Sequence, residues 1–457
     1  MFVDQFTSLL SEGWNPVFSQ TRTLERAIEH ALAMPSVLGC RTISRTICAL
    51  GRSSQDWSAD YKMFSRSVWD QKDLFNPVIE HYLLRYPNGP IPVAGDDTKL
   101  HKTGKKIKSA SWQRDPLSPP FQTNLIWSLR FLQFSLLFPH YREGDFPARS
   151  IPVRFEEVPV VKKPGKRATD DQKKQYKKAQ KETNLSTRAL AEICELRERF
   201  DQMGASGRDI LAVLDGSFCN QTIFKGDLRK VELVARCRKD ARLCFPAAEG
   251  ARRKYDPEIF APEEIRLDKN QKWKETKIHF GGKGRKVKYK EVRGVLWRRG
   301  AGTKRLRLMV LAPVPYKLSR NAKVNYRQPA YLLSTDLRSS TKLLIQTCFD
   351  RWQIEVNHKE EKSLLGVGQA QVWSSLSVPR QPAFTVSTYS MLLLTSLQAF
   401  GPGRTTDYLD LPKWRKNSKR PSLLDLLTLL RNDIHETRDS TPTLANLDQN
   451  LLLHAYT

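Results

Sequence analysis

The sequence predicts an α/β fold with helical regions at both ends, and three observations carry that expectation. The first 85 or so residues repeat apolar side chains at three- and four-residue spacing. Between about residues 86 and 246, apolar runs of strand length end at acids or turns. From 247 to about 330 the chain turns basic, rich in Gly and Trp, and alternates in short segments. A period near 3.6 marks a helix with one buried face, and a period of 2 or a short unbroken apolar run marks a strand.

In the first region, TLERAIEHALAMP and VLGCRTISRTICALG each end at a Pro or Gly, and SSQDWSADYKMFSRSVW supplies Trp57, Tyr61 and Trp69 for packing further helices. A bundle of helix-turn-helix type over 1–85 fits, with Arg41, Arg45 and Arg52 available to DNA phosphates. YPNGPIPVAGDDTKLHKTGKKIKSASW then reads as a strand, a turn at Thr103-Gly104 and a second strand, and FQTNLIWSLRFLQFSLLFP as a third, buried one. Residues 159–183 are lysine-rich and apolar-poor, an exposed arm leading to a helix that starts near Asn184, Ser186 or Thr187. DILAVLDG reads as a strand buried on both faces. VELVARCRKDARLCFP reads as a helix end and a strand. After the β-rich segment the sheet resumes at AYLLSTDL, followed by one long helix from about Ser339 to Leu365. PSLLDLLTLLRNDIHE and LANLDQNLLLH close the chain as amphipathic helices. The expected organisation is 1–85, 86–246, 247–330, 331–400 and 401–457, with the second and fourth segments forming one core.

Charge narrows the partners. The 457 residues carry 76 Lys and Arg against 48 Asp and Glu, a net +28. Such an excess repels itself and is relieved by a polyanion, so nucleic acid is the expected partner. No apolar run approaches the roughly 20 residues of a bilayer span, so no membrane is expected. The opening MFVDQFTSLLSEGWNP does not have the pattern of a secretory signal, and seven cysteines form no CxxC pair. Reduced, mostly buried thiols in a cytosolic protein are the expectation.

Three acids stand where chemistry on phosphodiesters needs them. Cleaving and joining such bonds takes an activated nucleophilic oxygen and a stabilised leaving oxygen, which two divalent ions about 4 Å apart supply. Mg²⁺ needs only a few carboxylates from rigid elements. Asp97 ends a strand, Asp215 ends a buried strand, and Glu355 lies on the long helix. Arg351, Glu355, His358 and Lys362 are spaced by four, three and four residues and share a helical face, with Leu344, Cys348 and Trp352 as a neighbouring packing stripe. Asp96 and Asp97 alternate across a strand, so only one reaches the metals. Asp336, at another strand end, reads as a turn or cap residue.

DDT followed by KTGKK at 96–106, LDGSF at 214–218, VARCRKDARL at 234–243, and RWQIE with a downstream lysine at 351–362 resemble bacterial insertion-sequence DDE transposases. The resemblance covers roughly residues 40–375. It implies an RNase H-like core, with a β-strand insertion between the second and third acids. It sets the first acid directly before Thr98, which favours Asp97 with Asp215 and Glu355 as metal ligands and catalytic residues. The family's third motif places a tyrosine where Cys348 stands here, so the resemblance supplies no hydroxyl contact at that point. It further implies Mg²⁺, with Mn²⁺ able to substitute, nicking at transposon ends, and attack of the freed 3′-hydroxyl on target DNA. Double-stranded DNA, a homodimer in the active complex and a bacterial cytoplasmic location go with it. Lys102, Lys105, Lys106, Arg236, Arg238, Arg351 and Lys362 fall within the motifs as candidate phosphate contacts. Trp297, with Arg298 and Arg299 beside it, is a candidate for stacking on a flipped base, its alternative being a core tryptophan. Two rivals remain: an RNase H-like nuclease or resolvase that does not join strands, and a non-catalytic DNA-binding descendant.

Overall fold

The computed structural model describes residues 1–437, apart from 120, 318, 320, 416 and 417, together with Leu447. Five helices open the chain: α1 (Phe2–Trp14), α2 (Thr21–Ser36), α3 (Ile43–Ala49), α4 (Ser58–Ser65) and α5 (Asn76–Arg85). The sheet begins with β1 (Ile91–His101), β2 (Ser111–Arg114), β3 (Leu125–Phe138) and β4 (Arg149–Glu157). Helices α6 (Asp170–Thr183) and α7 (Leu185–Phe200) lead to β5 (Ile210–Leu214), α8 (Gln221–Lys225) and β6 (Val231–Arg236). The β-rich segment holds β7 (Leu243–Pro246), β8 (Tyr255–Phe260), α9 (Pro262–Leu267), β9 (Lys274–Phe280), β10 (Lys283–Leu296), β11 (Arg305–Leu311), and the short pair β12 (Pro315–Tyr316) and β13 (Asn325–Tyr326). β14 (Ala330–Ser334), α10 (Thr341–Asp350), α11 (Gln353–Leu364), α12 (Ser377–Phe400) and α13 (Leu423–Glu436) complete the described elements.

Five strands make the core, side by side in the order β4-β3-β1-β5-β6. β4, β3 and β1 run antiparallel to their neighbours, while β5 and β6 continue parallel to β1. This is an RNase H-like core. β5, between β1 and β6, has all five residues buried, as a strand covered on both faces must. Gly95 of β1 has no substitute: a Cβ there would lie 2.6 Å from the Phe134 ring and 2.7 Å from Leu214. Apart from the separate pair β12–β13, the β-rich segment extends the same sheet. β14 joins β6 antiparallel, and β11, β10, β7 and β8 follow outward.

Several elements depart from the sequence reading. β1 pairs with β3, and β2 is a short strand on the far side of β3, so the turn at Thr103-Gly104 does not close a hairpin. β4 was not expected, because Arg154 and Glu156 break its apolar pattern; both are buried among Lys72 and Glu192. Residues 231–236 are a strand, not a helix end. The second half of the lysine-rich arm, residues 170–183, is itself the helix α6, opened by a Thr169–Gln172 capping box and burying no residue. Asn184 caps α7, accepting from the Thr187 N–H at 3.0 Å. The long helix after β14 is interrupted: α10, capped by Ser340, and α11 meet at Arg351 and Trp352. LANLDQNLLLH lies outside the described residues except Leu447.

The opening helices share one apolar core with the last ones. Phe2, Phe6, Trp14 and Phe64 pack with Phe384, Leu394 and Leu427. α12, buried along nearly its whole length, lies between these helices and β4. Beneath α11, burial pushes the Glu361 carboxyl up to about 8, against the pull of Gln133 and Lys362. A folded pKa above the unfolded value of 4.5 means that the native state holds its proton more tightly, so stability is full below pH 4.5 and is lost as pH rises towards 8. Between pH 5 and 8 the melting temperature should therefore fall, with Glu361 alone contributing on the order of 1–3 kcal/mol. Glu361→Gln should flatten that dependence in thermal melts at both pH values. A wild-type melt that is flat over this range would show that the carboxyl ionises normally.

Candidate active site

Register decides which of the adjacent acids can join the others. Ala94 of β1 lies opposite Val213 of β5, so their side chains leave the same face. Two residues on, Asp96 and Asp215 emerge together on that face. Ala94 packs there against Ile354 of α11, and Val213 against Leu344 and Ile345 of α10. The two helices lie over this face and bring Glu355 in on the first turn of α11.

Arg351, at the junction of the helices, binds all three acids. Its Nη1 donates to Asp96 Oδ2 at 3.1 Å and its Nη2 to Glu355 Oε1 at 3.0 Å, and Asp215 Oδ1 is 3.9 Å away. Its side chain is only 14% exposed. Burial works against the guanidinium charge, but Asp96, Asp215 and Glu355 outweigh it and raise its pKa. Burial also pushes the Asp96 carboxyl up to about 6, against Arg351 and the Asp97 N–H, with Asp215 and Asp97 adding to the rise. An acid that resists ionising next to its neighbours is a group that additional positive charge would stabilise.

The sequence reading set Asp97 as the first acid, whereas it is Asp96 that shares a face with Asp215 and reaches Arg351. Asp97 points to the opposite face of β1, where Arg130 of β3 donates from Nε to its Oδ2 at 2.8 Å. Arg130 carried no signal in the sequence, because its partner depends on the β1–β3 register. Asp336 is a turn residue, as read: it is buried and accepts from the Arg338 and Ser339 N–H groups at 2.8 Å.

The three carboxylates suit a hard divalent ion: all are oxygen donors, on three separate elements, turned towards one cation. They surround the guanidinium rather than closing on one another. Among the described residues, no group of three or more His, Cys, Asp or Glu is drawn together tightly enough to hold an ion unaided.

The candidate phosphate contacts divide. Lys105 and Lys106 are exposed on the loop after β1, and Arg298 and Arg299 on the turn after β10. Arg236 ends β6 with its side chain in a cleft of about 690 Å³ that begins at Gly216, next to Asp215. Arg238, Lys239 and Arg266 line the same cleft, with Arg238 held by Asp240 at 2.7 Å and Arg266 by Glu263 at 2.6 Å. Lys362 reaches solvent on the last turn of α11. Lys102 cannot serve: it is 1% exposed, and its Nζ donates to the Gly368 and Ala370 carbonyls at 2.8 and 2.7 Å. Burial pulls its pKa down to about 8. Trp297 is half-buried, edge-on to Phe224 at 5.7 Å, with Gly300 so close that a Cβ there would fall 2.1 Å from the indole ring. Arg52, offered to phosphates by the sequence, is held by Glu29 and Asp60 instead.

Residues 19–304 match the family described as DDE superfamily endonuclease, a span that contains Asp96, Asp97 and Asp215 and ends before Glu355. No curated protein matches the chain.

The division of lysines can be read out directly. Lys102→Met should lower the melting temperature by several degrees, while Lys105→Ala with Lys106→Ala should leave it unchanged and weaken duplex DNA binding. Equal effects of both changes on DNA affinity, with no loss of stability in Lys102→Met, would contradict the buried tether.

Proposed function

Since the chain belongs to the DDE superfamily endonucleases, enzymes that cut DNA and generally use divalent metal ions, we propose that it is a transposase. On this reading it nicks DNA at the ends of a mobile element and joins the freed 3′-hydroxyl to a target strand. The convergence of Asp96, Asp215 and Glu355 on the Arg351 guanidinium carries the proposal.

Asp96, Asp215 and Glu355 would hold the ions, with Mg²⁺ the expected one and Mn²⁺ a substitute. When bound, such ions activate the attacking oxygen and stabilise the leaving oxygen of a phosphodiester. The chain's own groups set the stage for that chemistry. β1 and β5 are hydrogen-bonded neighbours, so Asp96 and Asp215 stand on a rigid sheet, and the α10–α11 junction fixes Glu355 above them. Arg351 offsets the mutual repulsion of the acids and presents a planar fork that matches a phosphate. The arginines of the cleft beside Asp215 give a path for the flanking backbone, and two copies of the chain would pair two ends.

The match to an endonuclease family also fits an enzyme that cuts without joining. Duplexes that carry a pre-cut 3′-hydroxyl separate the readings: a transposase inserts them into plasmid DNA, and a simple nuclease leaves them unjoined.

Asp96→Ala, Asp215→Ala and Glu355→Ala should each lower metal-dependent nicking by roughly a thousandfold or more, while DNA binding survives. Asp97→Ala should keep most of the activity. A dead Asp97→Ala beside an active Asp96→Ala would reverse the assignment. Changing Lys173, Lys174, Lys177 and Lys178 of α6 to alanine should flatten the salt dependence of DNA binding by roughly two to four units of log–log slope. An unchanged slope would make α6 mere solvated surface.

A further inference from the structure

A second cavity, of about 590 Å³, lies away from the acids, between the start of α3, the end of α4 and the segment that follows α11. Its walls mix stacking and hydrogen-bonding groups. Trp373 stands at its edge, 66% exposed, with Tyr61 on the opposite wall. Ser44, Ser65 and Ser374 bring hydroxyls, and the exposed Arg66 brings a charge. The volume falls within the range that small ligands fill.

The wall bearing Trp373 is fixed to the catalytic strand. Gly368 and Ala370 accept from the buried Lys102, six residues beyond Asp96. Gln371 Oε1 accepts from the Thr103 and Gly104 N–H groups at 3.1 and 3.4 Å. On the other side Gln369 Oε1 accepts from the Arg41 N–H at 2.6 Å, just before α3. One short segment thus joins β1 to the opening helices, and the cavity forms along it. The exposed Lys105, Lys106 and Lys108 belong to the same loop. Six residues of strand span roughly 20 Å, which is about six base pairs of duplex rise.

We propose that this cavity receives an unpaired nucleobase of the DNA strand, stacked on Trp373. An indole face open to solvent offers a stacking surface to any base, and the hydroxyl oxygens of Ser44 and Ser65 can accept from a base edge. Arg66 and the lysines of the 105–108 loop then take the adjoining phosphates. The inference rests on DNA as the substrate but not on any step of cleavage.

The test uses the full chain without metal, with two fluorescein-labelled probes of equal length: a dT12 single strand and a blunt 12-base-pair duplex. Trp373→Ala should weaken dT12 binding roughly 5- to 100-fold and duplex binding less than twofold, with Trp373→Phe restoring most of the loss. Ser44→Trp, which fills the cavity from the facing wall, should act like Trp373→Ala, and Asp96→Ala should leave dT12 binding intact. Melting temperatures of the variants should match the wild type, since both altered side chains are exposed. Unchanged dT12 affinity in Trp373→Ala, or an equal loss on both probes, would overturn the proposal. Because nothing is cut in this assay, nicking can fail while base binding stands, and the reverse.

Discussion

The attachment of one guanidinium to three carboxylates organises the candidate catalytic face of this protein. Asp96 and Asp215 leave adjacent strands on the same side, and burial, with Asp215 and Asp97 adding to it, disfavours the charged form of Asp96. Arg351 makes the arrangement tenable. It does so from the point where α10 gives way to α11, so its position depends on both helices packing on the sheet through Leu344, Ile345 and Ile354. The apolar contacts are what bring Glu355 within reach, and the charge contacts are what keep it there. Removing the arginine would leave three neighbouring carboxylates, Asp96 the least exposed of them, without their shared cation.

The rest of the fold supports that face. The β-rich segment does not stand apart, because β14 completes the sheet beside β6 and hands the chain directly to α10. The opening helices are drawn into the same apolar core by α12, which ties them to β4. No helix of the described residues is long and apolar enough to cross a membrane. Basic side chains remain outside this packing along the β1 loop, the cleft beside Asp215, the turn after β10 and α6, where a polyanion can reach them.

Much of this was legible in the sequence. DILAVLDG could be read as a strand buried on both faces because its apolar run is unbroken, and the acid at its end was visible with it. Glu355 could be placed on a helix from the four-, three- and four-residue spacing around it. Which of Asp96 and Asp97 shares the face of Asp215 could not, since it turns on Ala94 facing Val213 across a ladder whose register no local pattern encodes. Lys102 looked like its neighbours Lys105 and Lys106, and only the carbonyls of a segment more than 260 residues away set it apart. Trp297 packs edge-on against Phe224, some 70 residues earlier, at the margin of the core. β4 was hidden because its charges, Arg154 and Glu156, are buried with partners on other elements. In each of these cases the deciding contact lies far away in the chain, and residue type alone is silent about it.

The central claim is that Asp96, on the Arg351 side of β1, belongs to the ion-binding set and that Asp97, on the Arg130 side, does not. Titrating Mn²⁺ into the full chain and counting bound ions by electron paramagnetic resonance reads this without any cleavage step. The account predicts that Asp97→Asn binds Mn²⁺ like the wild type, whereas Asp96→Asn, which removes one carboxylate charge with little change in shape, loses most of the binding. Retained binding in Asp96→Asn together with loss in Asp97→Asn would contradict it.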